Sequence, residues 1–290
     1  MIKINEMSTS NSFLVNIVNG FIKRANKLFS SRYKKVNIGP IFLKYLKHIP
    51  PGKLHNHKLF GNKTWFKSGQ EYLHGIDEIF IEEIYKQQLP ENAFVLDCGA
   101  NIGLSVIYLK KICPSAMIIA FEPDKLNFEL LQMNIKSHGL EKVELKNEAV
   151  WKEDTMLNFE SEGTMGSKIG SQEKGDNGNL VKAIRLKDYI NRRIDFLKID
   201  IEGAEFDVMM DIQDKLNFVD KLFVEYHGSF KQNNELTRLF DLFTEKGFNY
   251  YIKEATMVLE TPFINNKSPE MSYDIQLNIF CFKSQANKNN

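Results

Sequence analysis

From residue 76 onward the chain alternates short apolar runs with stretches of helical periodicity, and this rhythm constrains the fold more than any other feature. Apolar runs of strand length lie at 94–97, 117–121, 142–145 with 149–151, 196–199 and 222–226. Helical spacing predicts helices over 76–88, 103–112, 125–137, 205–216 and 235–246, the last stopped by Gly247. Strands near 249–253 and 274–282 close the chain. Nearly continuous apolar strands suit burial on both faces, and their alternation with helices calls for an α/β fold around a largely parallel sheet. Hydrophobic residues at 43% supply the core that such a fold needs.

The region before residue 76 differs. Residues 1–70 carry thirteen Lys or Arg against a single acid, Glu6, while the remaining 220 hold 25 basic and 36 acidic side chains. A basic arm on an acidic body bears on partners and docking, not on fold. Residues 1–40 read as an amphipathic helical arm, with Phe13, Leu14, Ile17, Val18, Phe21 and Ile22 at helical spacing and Lys23, Arg24 and Lys27 interleaved. Two readings are open: a helix lying on an anionic membrane surface, and a helix packed on its own domain or a second subunit. Asn16 and Asn19 break the apolar stretch that a secretory signal requires. Residues 41–75 form an irregular extension with a hairpin at 58–66, turning at Gly61-Asn62. The domain proper spans 76–283, followed by a polar tail at 284–290.

Other classes fall away. No window of about 20 apolar residues exists, as a spanning helix demands. Cys98, Cys113 and Cys281 lack metal-ligand or paired spacing, which fits a reducing, cytoplasmic setting. Between residues 163 and 178 lie five of the seventeen glycines, a stretch that reads either as a lid over a site or as a surface insertion.

In an open parallel sheet, ligands bind beyond the carboxyl ends of the strands. After the first strand comes Asp97-Cys98-Gly99-Ala100-Asn101-Ile102-Gly103. It has neither the G-x-G-x-x-G dinucleotide pattern nor the G-K-[ST] ending of a phosphate loop. An acid at 97 repels a pyrophosphate and suits a cationic ligand. After the second strand stands Glu122, 25 residues on, where a carboxylate accepts both hydroxyls of a ribose. Two carboxylates in this order fit a nucleoside with positive charge and no phosphate, a description met by S-adenosylmethionine. Further rims carry Asp200, Glu202 and Glu205 around Gly203, and then Glu225 and His227.

These residues carry a resemblance. FVLDCGANIG (94–103), AFEPD (120–124), NEAVW (147–151), LKIDIEGAE (197–205) and LFVEYHG (222–228) are similar to the FkbM family of S-adenosylmethionine-dependent methyltransferases, over roughly residues 76–255. The resemblance implies a Rossmann-like class I methyltransferase fold with a seven-stranded sheet and helices on both faces. It implies O-methylation of a hydroxyl, often on a sugar or polyketide. It places Asp97, Gly99, Asn101, Gly103 and Glu122 around the donor, with Asn134 on the following helix, Glu148 and Ala149 flanking the adenine, and Asp200 where donor meets acceptor.

An alcohol is a poor nucleophile at neutral pH, so a base or a metal must help remove its proton. His227 is the first candidate for that base and Asp200 the second. Alternatively Asp200, Glu202 and Glu225 could hold Mg2+ against vicinal hydroxyls, since hard cations choose oxygen ligands. The expected acceptor is a sugar hydroxyl of a glycan or glycolipid, as in polysaccharide biosynthesis, with peripheral membrane contact through residues 1–35. Competing readings are a nucleotide-cofactor oxidoreductase and a non-catalytic binding protein on the same fold. Nucleic-acid methylation is disfavoured, because the arm's lysines alternate with apolar groups at helical spacing and not with aromatics set out for stacking.

Overall fold

The computed structural model describes residues 32–160, 168–169, 179–264, 267 and 272–283. The expected helix over 13–29, most of the glycine-rich stretch and the polar tail lie outside the described residues. The rhythm of the sequence reappears as a seven-stranded sheet. In chain order its members are β3 (Phe94–Cys98), β4 (Met117–Phe121), β5 (Val143–Lys146), β10 (Phe196–Ile199), β11 (Lys221–Gly228), β12 (Phe248–Glu254) and β13 (Ile275–Lys283). They lie side by side in the order β12-β13-β11-β10-β3-β4-β5. Pairing is parallel from β11 through β5, and β13 runs antiparallel to both of its neighbours. All five residues of β3 are buried, as a central parallel strand requires.

Among the described residues six α-helices flank the sheet and its extension: α1 (Pro40–His48), α2 (Gly69–Gly75), α3 (Leu104–Ile112), α4 (Lys125–Ser137), α5 (Glu205–Asp211) and α6 (Asn233–Glu245). Two apolar clusters result, one on each face of the sheet. One gathers Val95, Val106, Leu109 and Ile118 with residues of the extension such as Tyr72 and Ile76. The other gathers Leu96, Leu197, Val208, Leu222 and Leu242. Among the described residues no helix is long and apolar enough to cross a membrane.

The structure corrects several expected boundaries. The helix placed at 76–88 begins at Gly69, where the Ser68 hydroxyl accepts the Glu71 N–H, and continues as a wider turn through Ile76–Ile81. Its end is fixed by Glu83, which takes φ 54°. The helix placed at 205–216 stops at Asp211. In the hairpin of β1 (His55–Leu59) and β2 (Asn62–Phe66), the turn is Phe60-Gly61, one residue earlier than expected. Both turn residues have positive φ, and the Phe60 ring is held against Phe80 at 5.4 Å. A second, four-stranded sheet was not foreseen. It joins β6 (Ala149–Trp151), β7 (Thr155–Glu160), β8 (Lys168–Ile169) and β9 (Asn179–Arg185) in the order β6-β9-β7-β8. The extended stretch at 142–151 therefore divides, with β5 in the main sheet and β6 in the small one.

Candidate active site

Strand β3 lies between β4 and β10, so the order of the sheet switches direction there. Connections leaving adjacent strands diverge at such a point and open a crevice. Here they wall a cavity of about 270 Å³, roofed by residues 66–79 from the N-terminal extension.

The loop after β3 is shaped by backbone constraints. Gly99 takes φ +89°, and a Cβ there would collide with the Asp200 carbonyl oxygen. Gly103 takes φ +91° and brings the start of α3 against Leu131. Asn101 also has positive φ, at 47°. Every amide from 99 to 103 is used inside the fold. Gly99 and Ala100 N–H donate to Phe121 O, Gly103 N–H to Ala100 O, Asn101 N–H to Glu122 Oε2 at 2.8 Å, and Ile102 N–H to Asn101 Oδ1 at 2.7 Å.

The two signature acids sit one bond behind the cavity wall. Asp97 is fully buried, accepts the Ser105 hydroxyl at 2.5 Å and has the Lys198 ammonium 3.3 Å from its other oxygen. Glu122 accepts N–H groups from Asn101 and from Asp124, the latter at 2.9 Å. Burial raises its pKa to about 8 even though both amides favour the charged form. Asp124 caps α4 by accepting the Asn127 N–H.

Asp200 faces the cavity itself, a quarter exposed, with Lys198 Nζ at 3.1 Å. Lys198 is the one polar residue of β10 and is buried. Its Nζ also donates to Gly99 O at 2.7 Å. Burial works to lower its pKa, but Asp200 and Asp97 overcome this and hold it above the ordinary lysine range.

His227 stands at the end of β11 but does not line the cavity. Its Nδ1 donates to Glu205 Oε1 at 3.1 Å, and Nε2 lies 3.4 Å from Glu202 and 3.7 Å from Glu225. Gln276 approaches the same nitrogen at 3.1 Å, and the Tyr273 ring packs on the imidazole. Burial opposes the charge, yet Glu205, Glu202 and Glu225 together push the pKa up to about 10. His227, the first candidate for the base, is thus held among carboxyls behind the cavity wall, while Asp200, the second, lies on that wall. The surrounding carboxyls respond in the opposite sense. Burial, reinforced by Asp200, raises Glu202 to about 8 and lifts Glu225 and Glu78 above the usual range. The ligand atoms of Asp200, Glu202 and His227 lie within 4.8 Å of one another. That set replaces the oxygen-only trio with one containing an imidazole, which gives Mg2+ no support.

Three further expected residues lie elsewhere. Asn134 is fully buried and acts as a clamp. It accepts the Trp65 N–H at 2.6 Å and donates to Trp65 O at 3.0 Å and Ile102 O at 2.8 Å, tying the hairpin to the loop after β3. Glu148 pairs with Lys182 at 2.5 Å and Ala149 is buried in β6, so neither lines the cavity. The cavity thus joins Gly99, Asn101 and Asp200 directly, with Asp97, Glu122 and Asn134 each behind a lining residue. Sequence reasoning missed the roof, including Lys67, Ser68, Glu71 and Glu78. The pattern Ser68-Gly-Gln-Glu71 ahead of an apolar run was the signal for its helix.

Comparison with known proteins fits this geometry. The Methyltransferase FkbM domain family matches residues 97–250. The chain is 29% identical over 182 residues to "Methyltransferase 1" of Beauveria bassiana, covering 53% of this chain and 72% of that protein. It is 29% identical over 186 residues to "Methyltransferase sdnD" of Sordaria araneosa, covering 48% and 68%. Among solved structures, methyltransferase FkbM from Methylobacillus flagellatus KT is similar with a TM-score of 0.48 at 14% identity. That match covers 72% of this chain and about half, 48%, of that one.

Proposed function

Because the chain belongs to the FkbM methyltransferase family, we propose that it transfers a methyl group from S-adenosylmethionine to a hydroxyl, most suitably that of a sugar in a glycan or glycolipid. The observation that carries this reading is Asp200. It is the carboxylate that faces the cavity where the β3 loop and β10 meet, and its position is fixed by Lys198.

The residues present suit a cationic adenosyl ligand. Leu126, Leu130, Ile79 and Tyr85 give the cavity apolar walls, and Glu71, Glu78 and Asp200 give it negative charge. The inward-turned amides of residues 99–103 leave no row of donors for a pyrophosphate, which counts against a dinucleotide. When bound, the donor supplies a sulfonium methyl open to displacement by an oxygen. Asp124, on the cavity wall, would meet the ribose, with Glu122 behind it holding the loop through the Asn101 and Asp124 amides, and the Gly99–Asn101 backbone would flank the ligand.

Asp200 orients the acceptor hydroxyl and draws on its proton. Lys198 keeps that carboxylate fixed in position and His227 offsets the acids behind it. Positioning of this kind supplies roughly 7–11 kcal/mol of a bimolecular barrier. Glu78 and Asp200, which both line the cavity, present carboxyl oxygens for adjacent hydroxyls, which supports a polyol acceptor. The test is transfer of labelled methyl to a panel of sugars and nucleosides. Asp200→Asn is expected to lose roughly 100-fold or more in turnover while keeping donor affinity. Unchanged turnover in that variant rules out the assigned role.

A further inference from the structure

The amino-acid end of the proposed donor is a zwitterion, and the cavity is strongly biased toward one of its charges. The amine can meet Glu71, Glu78 or Asp200, all of which line the wall. The carboxylate has far fewer places to go. The five amides from Gly99 to Gly103 are consumed by Phe121, Glu122, Asn101 and Ala100. The Ser105 hydroxyl donates to Asp97, and Ser68 Oγ accepts from the Glu71 amide.

Among the described residues two ammonium groups line the cavity, those of Lys67 and Lys198, beside the His74 imidazole. Lys198 is already enclosed by Asp97, Asp200 and the Gly99 carbonyl. Lys67 differs on each count. It is half-buried, and no acid pairs with it among the described residues. Its backbone is well anchored, since its carbonyl accepts the Gly52 N–H at 3.0 Å. It directly follows β2, where the Phe66 ring stacks on Tyr72 at 4.1 Å. An anchored backbone carrying a free ammonium at the edge of an acidic cavity has the form of an anion-recognition point.

We propose that Lys67, supplied by the N-terminal extension, binds the α-carboxylate of the methyl donor and thereby distinguishes intact S-adenosylmethionine from its fragments. This rests on the donor reading given above and assigns the extension a part in donor selection. The fingerprint strands alone would then form an incomplete donor site.

The test is isothermal titration of the full chain and of its Lys67→Ala and Lys67→Arg variants with three ligands. These are S-adenosylmethionine, its decarboxylated form and methylthioadenosine, which lacks the amino-acid end. Lys67→Ala is expected to weaken S-adenosylmethionine by roughly 10- to 100-fold, the range for a hydrogen bond to a charged group. The other two ligands should bind it as they bind the unmodified chain, and Lys67→Arg should recover most of the loss. Equal weakening of the decarboxylated ligand, or no weakening of S-adenosylmethionine, overturns the assignment. Failure of the unmodified chain to bind any of the three would remove the donor reading as well, so the two failures are distinguishable.

Discussion

Gly99 shows most directly how a single residue decides the site. Its φ of +89° and the Asp200 carbonyl against its α-carbon leave no room for a methyl group. Gly99→Ala is therefore expected to cost about 1–3 kcal/mol in urea unfolding, with donor binding lost alongside. His227 makes a second prediction at this scale. Its pKa rises from 6.5 to about 10 on folding, so the stability it contributes is complete below pH 6.5 and drains away as pH climbs toward 10. Glu202, raised from 4.5 to about 8, acts in the same direction, because ionising it in the folded protein is unfavourable. Thermal unfolding temperature should fall between pH 7 and 10, and Glu202→Gln should flatten that fall. An equally steep profile in the variant would show that the cluster does not govern it. The positions of Asp97, Gly99 and Asp200 were legible in the sequence, since each follows a strand in a recognisable pattern. The state of His227 was not. Its carboxylates converge from α5, the loop ahead of it and β11, with Gln276 from β13, and no local spacing records that meeting.

Between elements, the hairpin of β1 and β2 was announced by its turn, but what it packs against was not. It is pinned to α4 through Asn134. That side chain spends one acceptor and two donor bonds on Trp65 and Ile102. Asn134→Leu leaves those backbone groups buried without partners, at about 1–3 kcal/mol for each one that stays dry. The variant should lose stability and bind the donor more weakly, and Asn134→Asp, which keeps the bond from the Trp65 amide but sets a carboxylate oxygen against the Trp65 and Ile102 carbonyls, should lose stability as well. Preserved donor affinity in Asn134→Leu would show that the hairpin and the β3 loop are not coupled. The small sheet escaped notice for a related reason. β6 is only three residues long, and its partner β9 begins beyond the glycine-rich stretch, so neither strand announces the other.

For the molecule as a whole, the alternation of strands and helices was enough to read the α/β class, and the order of the seven strands places the cavity at the switch beside β3. Periodicity reports which face of an element is buried but not which elements meet, so the class was visible and the roof was not. Every residue assigned to the site lies between residues 51 and 276, so a chain lacking residues 1–31 should bind donor as the full chain does. If the basic arm contacts an anionic membrane face, the same truncation should abolish co-sedimentation with anionic vesicles and leave binding intact. The measurement that bears most directly on the whole account is calorimetric titration of the intact protein with S-adenosylmethionine, run beside NAD and repeated with Glu122→Gln. Saturable binding of the methyl donor, weakened in the variant and absent for NAD, is the predicted result. Binding of NAD without binding of the methyl donor would contradict it.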